Sequence, residues 1–188
     1  MKFPMRLAIL LLCATPALAA DRTVRFSAPM YFLPPAKAVV VTRAGDPGPG
    51  QPKHEAVASV AALKDEAKLP GDGPYDIWFV PKDGMPVRAV AGFKPKDGAN
   101  EVKLNDHLGA IAIRGDGQPR GTLLVTPYDG PGPGQKGHRV IQSAGDTRAE
   151  MAVPPGDYAV WVVPSSGAMA RRVVDKVRVH AGKTASVD

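Results

Sequence analysis

The apolar positions of this chain fall into short runs, cut by breaks rich in Gly, Pro and Asp, which is the spacing of an all-β fold with tight connections. Val24-Arg25-Phe26 opens an alternating strand. Met30-Tyr31-Phe32-Leu33 is an apolar stretch ended by Pro34-Pro35, and Ala38 to Thr42 is a continuous, mostly β-branched run of the kind buried on both faces. In Tyr75 to Val80, alternation puts Tyr75, Ile77 and Phe79 on one face and Asp76, Trp78 and Val80 on the other. Tyr158, Val160 and Val162 likewise oppose Ala159, Trp161 and Val163. The tyrosine faces are the expected core, with each hydroxyl bonded to nearby backbone after a Pro-Gly turn.

These two strands belong to a repeat. V-T-R-A-G-D-P-G-P-G-Q-P-K-H, from Val41 to His54, matches V-T-P-Y-D-G-P-G-P-G-Q-K-G-H, from Val125 to His138, at an ungapped offset of 84. The same offset pairs Leu69 with Val153 and Gly98 with Gly182, while Tyr75 pairs with Tyr158 and Trp78 with Trp161 at 83. The chain therefore divides into residues 1–19, a leader, then 20–106 and 107–188, two copies of one small β unit. The expectation is two tandem small antiparallel β-sandwiches, with almost no linker after Asp106.

The repeat also bears on His54 to Lys68, which is rich in helix formers. Its counterpart, His138 to Ala152, carries Ser143-Ala144-Gly145-Asp146 between alternating runs and reads as a hairpin. Homologous halves share a fold, so strand–turn–strand is expected in both, with a short helix in the first copy as the alternative.

Composition sharpens this picture. Gly and Pro number 20 each in 188 residues and cluster at turns, and 44% of residues are apolar, enough for a packed core. Lys2 and Arg6 precede the apolar run Leu7 to Ala14, and Ala17-Leu18-Ala19 offers an A-x-A cleavage site: a secretory signal peptide, placing the protein in the periplasm or outside the cell. Cys13 raises a lipoprotein reading, but leucines precede it where small residues are wanted. It is the single cysteine, so cleavage leaves no thiol and no disulfide. The formal charge of +6 is modest and lacks the dense Lys/Arg clustering of a nucleic-acid footprint.

Val153-Pro154-Pro155-Gly156-Asp157-Tyr158-Ala159-Val160-Trp161-Val162, followed by a strand, then Gly182-Lys183-Thr184 and Val187-Asp188, resembles the carboxypeptidase regulatory-like repeat of exported bacterial proteins. The resemblance implies a transthyretin-like (prealbumin-like) sandwich of about seven strands, often in tandem, with an immunoglobulin-like sandwich, which shares these short motifs, as the alternative, and a non-catalytic accessory or binding role. Asp72-Gly73-Pro74 lengthens the turn of the first copy relative to that pattern.

No H-E-x-x-H, G-x-S-x-G, Walker or Rossmann signature occurs. The reading is a non-enzyme, with no catalytic residue, metal or cofactor. His54 and His138 occupy matching places, which inheritance from the duplication explains more simply than metal binding. The Asp-Gly pairs sit in no D-x-D-x-D-G loop and read as turns. Lys176, Arg178 and His180 alternate along one strand as a solvated face. Two features remain as ligand or partner sites. Trp78 and Trp161 lie opposite the core face, covered by loops or by the other unit, or else an aromatic platform for a sugar or a protein. Met30, Tyr31, Phe32 and Leu33 form an apolar loop where the second copy has Arg114-Gly115-Asp116-Gly117; it closes the interface between units or docks on a partner or membrane surface. The leading expectation is a module that binds a protein or an envelope component, not integral to the membrane; the alternative is a carbohydrate-binding module using the two tryptophans.

Overall fold

The computed structural model describes residues 22–29, 33–61, 63–114, 121–145 and 149–187. Fourteen strands in these residues build four small sheets. The first seven are β1 (Arg22–Ser27), β2 (Ala36–Arg43), β3 (Ala56–Val60), β4 (Glu66–Leu69), β5 (Tyr75–Pro81), β6 (Val87–Phe93) and β7 (Gly98–Lys103). A 3-10 turn, Leu104–Asp106, leads to β8 (Gly109–Ile113), β9 (Gly121–Pro127), β10 (Gln142–Ala144), β11 (Glu150–Val153), β12 (Gly156–Pro164), β13 (Arg171–Val179) and β14 (Thr184–Val187). The protein is all-β, a tandem of two β-sandwiches.

The halves share one topology. A three-stranded sheet, β4-β1-β7, belongs with a four-stranded one, β3-β2-β5-β6; in the second unit β11-β8-β14 belongs with β10-β9-β12-β13. Most pairs are antiparallel, but the first and last strands of each unit, β1 with β7 and β8 with β14, run parallel. The second strand lies beside the fifth, as in the constant-type immunoglobulin arrangement, but here the third and sixth strands flank that pair, where the immunoglobulin sheet has the first and fourth.

The predicted strand–turn–strand at 54–68 is present as β3 and β4, with β10 and β11 as its copy. The hairpin reading needs correction. β3 pairs with β2 and β4 with β1, so the turn carries the chain from one sheet to the other, and β10 and β11 separate in the same way. Each strand buries its apolar side only by joining a different sheet: Val60 and Leu69 meet in one core.

The tyrosine faces are core, as alternation required. Tyr75, Ile77 and Phe79 are fully buried with Val24, Phe26 and Val41; Val160 and Val162 are buried with Ile111, Leu123 and Val125. The Tyr75 hydroxyl donates to the carbonyls of Pro70 at 2.9 Å and Gly71 at 3.2 Å, and the Tyr158 hydroxyl to Pro154 at 2.6 Å. Each tyrosine thereby ties its core strand to the preceding turn. Burial pushes the Tyr158 phenol up to about 12, with Arg139 pulling weakly the other way.

Candidate functional site

The two tryptophans sit in a repeated four-residue setting. Trp78 Nε1 donates to the buried hydroxyl of Thr42 at 3.2 Å, and Trp161 Nε1 to that of Thr126 at 3.1 Å. Each pair satisfies two polar groups that would otherwise be buried alone. Across the neighbouring strand Arg88 faces Trp78 and Arg172 faces Trp161, with guanidinium carbons 5.8 and 5.6 Å from the ring centroids. The proline-glycine loops close over the indoles: a Cβ on Gly48 would lie 2.4 Å from Trp78 Cη2, and one on Gly132 2.6 Å from Trp161 Cη2. Both indoles are half-buried beneath these loops.

The loops are pinned differently. Asp46 Oδ1 accepts from Gly48 N–H at 2.7 Å and from His54 Nδ1 at 2.8 Å, and its Oδ2 accepts from Glu55 N–H at 2.9 Å. Burial works against this carboxylate, but the bonds from His54 and the two amides outweigh it and hold the carboxyl below its ordinary value. In the second unit Gly130 takes the place of Asp46, Gln135 Oε1 accepts from Gly132 N–H at 3.0 Å, and His138 Nε2 is buried without a partner. Among the described residues no His, Cys, Asp and Glu side chains converge as a metal set.

The alternating basic strand is ion-paired. Asp157 receives Lys176 at 3.0 Å and Arg178 at 2.8 Å, and Arg178 foremost, then Lys176, holds its carboxyl well below the carboxylate range. Arg172 and Lys176 both lie over the ring of Tyr128, an exposed residue with no counterpart in the first copy, where Ala44 stands.

The junction between the units is the feature that the sequence did not reveal. Gln142, 1% exposed, reaches out of β10: its Oε1 accepts from Met85 N–H at 2.5 Å, and its Nε2 donates to Met85 carbonyl at 2.9 Å. The amide thus pairs with a backbone residue of the first unit as a strand would. Gly84 beside it is required, because a Cβ there would fall 2.8 Å from Gln142 Oε1. The corresponding position in β3 is Ala58, so this clasp exists once. On the outer face of β11-β8-β14, Ala110, Ala112 and Ala152 are buried, and Ala152 packs into the core of the first unit. The matching face of β1 carries Thr23 and an exposed Arg25. Alanine admits the neighbouring unit; the first unit's copy of the face is polar and meets water. The turn in the second unit that corresponds to Gly84-Met85 leaves Met169 92% exposed.

Beside this contact a cleft of about 450 Å³ opens between the units, walled by Pro34, Pro35 and Asp83 on one side and by Ala144, Gly145, Ala149 and Glu150 on the other. Of the apolar loop singled out in the sequence, Met30, Tyr31 and Phe32 lie outside the described residues, as does the leader. Leu33 packs on the first core, and the prolines that follow it line the cleft. Sequence reasoning missed Gln142 and Glu150. The signal for Gln142 was a polar residue opposite Ala58 in an otherwise aligned repeat.

No family model and no curated protein matches the chain. Among solved structures, the Bacillus anthracis TIE protein aligns with a TM-score of 0.29 and 11% identity over 89% of this chain and 33% of that one, so the chain spans about a third of that protein's length. Among the described residues no helix is long and apolar enough to cross a membrane.

Proposed function

We propose that the protein is a non-catalytic, exported accessory module of two transthyretin-like, carboxypeptidase regulatory-like units, which engages a protein partner or a component of the cell envelope. The observation that carries this reading is the junction. Gln142 clasps Met85, and Ala152, from a buried alanine-lined sheet face, packs into the core of the first unit, so the tandem is one body with a composite cleft that neither unit has alone. Clefts at the meeting of two units are preferred places for binding. The A-x-A pattern supports export, and the repeat's resemblance to accessory sandwiches supports a role beside a larger partner.

The test is in-cell crosslinking of the tagged protein in its own envelope, with Ala152→Arg as the variant that prises the units apart while leaving the second core intact. The reading requires a specific protein or envelope component captured by the wild type and lost from the variant, and a mature N-terminus at Ala20. Capture of nothing specific, or a retained leader, would sink it.

A further inference from the structure

Each unit carries a carboxylate at the start of its fourth strand, Glu66 in β4 and Glu150 in β11. In the first unit Glu66 faces Arg25 across the β1–β4 pair and binds it at 2.5 Å. In the second unit the residue facing Glu150 is Ala112. The carboxylate is present in both copies and its cross-strand cation in only one. Burial pushes the Glu150 carboxyl up from its ordinary value, and the charge of Arg114 pulls it back only in part.

Glu150 also sits where a chain can be added. Ile113 N–H donates to the Ala149 carbonyl at 3.0 Å, which sets the alternation of the β8–β11 pair. Residues 149, 151 and 153 therefore turn their backbone groups to β8, while Glu150 and Ala152 turn theirs outward. Gln142 Nε2 meets the Ala152 carbonyl at 3.4 Å. Among the described residues no strand lies opposite Glu150, because β11 is the outer strand of its sheet. This free edge borders the inter-unit cleft, whose charged lining among the described residues is Glu150 and, from the first unit, Asp83. In a chain of net charge +6, that is a local negative site with apolar proline walls.

We propose that the cleft binds an extended polypeptide segment carrying a Lys or Arg. Its backbone pairs with the β11 edge at Glu150, and its cationic side chain enters between Glu150 and Asp83, taking the place that Arg25 holds beside Glu66. The inference rests on reading the protein as a module for a protein partner. Strand addition supplies main-chain hydrogen bonds, and the two carboxylates supply the choice of side chain.

The experiment selects binders from a random-peptide display library on the purified full chain, then measures synthetic hits by fluorescence polarisation. Selected peptides are expected to share one Lys or Arg flanked by strand-forming residues. Replacing that residue by norleucine, or Glu150→Gln in the protein, is expected to weaken binding at least about tenfold, the scale of a lost charge-assisted bond. N-methylation of the peptide backbone beside the cation should weaken it similarly. Glu150→Gln is nearly isosteric, and an unchanged melting curve will show that the variant is folded. Hits without a shared cation, hits indifferent to both Glu150→Gln and Asp83→Asn, or no hits at all would overturn the proposal. If crosslinking in the envelope still captures a specific partner with the Glu150→Gln, Asp83→Asn double variant, the cleft assignment falls and the module reading stands. If the wild type captures none, the module reading falls with it.

Discussion

Gly132 lies against the indole of Trp161 so closely that a Cβ built on it would come within 2.6 Å of Cη2. Gly48 stands in the same relation to Trp78, at 2.4 Å. The glycines of the two proline-glycine loops are thus lids on tryptophans whose Nε1 groups are already held by Thr42 and Thr126.

A methyl group at either glycine must displace ring or loop. Gly132→Ala is the cleaner test, since Gly132 is not among the glycines with left-handed backbone, whereas Gly48 has φ +95°. Overpacking of this kind costs about 1–3 kcal/mol, and Gly48→Ala adds about 1–2 kcal/mol for the left-handed backbone. Chemical denaturation should rank wild type above Gly132→Ala above Gly48→Ala, with tryptophan emission red-shifted in both variants. Equal stability of all three would mean that the loops do not rest on the indoles.

The second loop lacks the carboxylate that organises the first. Gly130 is the counterpart of Asp46, and His138 Nε2 is left buried without a partner. A Cβ at Gly130 meets nothing closer than the Pro127 carbonyl at 3.4 Å, an ordinary contact. Gly130→Asp is expected to pair with His138 and the loop amides and to stabilise the protein by about 1 kcal/mol, raising Tm by about 2–4 °C at this chain length. A fall in Tm would show that the two loops differ in more than this residue.

Much of the fold was legible because its signals are local and occur twice. Tyr75 and Tyr158 follow equivalent turns, alternate with Trp78 and Trp161, and needed no tertiary information to be placed in the core. The separation of β3 from β4 was not legible, since a turn between two strands looks alike whether it closes a hairpin or crosses between sheets. The junction was still less so. Ala110, Ala112 and Ala152 read in sequence as unremarkable strand residues, and only their burial, with Ala152 in the core of the first unit, shows why Arg25 has no counterpart among them. Gln142 departs from its copy, Ala58, while Glu150 repeats Glu66, but what each of them faces is set by how the units dock.

The Gln142 clasp makes the cooperativity of the tandem testable. Gln142→Ala strips both backbone groups of Met85 of their partners and leaves a void at a site that is 1% exposed. The expected loss is about 2–3 kcal/mol, the range for unsatisfied buried backbone groups. Hydrogen exchange at the Met85 amide should accelerate, and calorimetry should show one transition becoming two. A single transition with unchanged exchange would mean that the alanine face alone holds the units together.

Tyr158 supplies the pH dependence. Its phenol is pushed up to about 12 because the buried ring resists ionisation, and its hydroxyl proton is committed to the Pro154 carbonyl at 2.6 Å. An unfolded tyrosine ionises near pH 10. Between about pH 10 and 12 the unfolded state therefore binds fewer protons than the folded one, and stability falls as pH rises through that window. Below pH 10 this contribution is fully present. Absorbance at 295 nm should show a tyrosine that ionises late, near pH 12, and is absent from Tyr158→Phe. That variant should lose about 1 kcal/mol at neutral pH with the hydrogen bond, and its alkaline fall in stability between pH 10 and 12 should flatten. If the variant matches the wild type across the alkaline range, the hydroxyl does not tie the core strand to its turn, and the ring's packing alone accounts for the buried tyrosine.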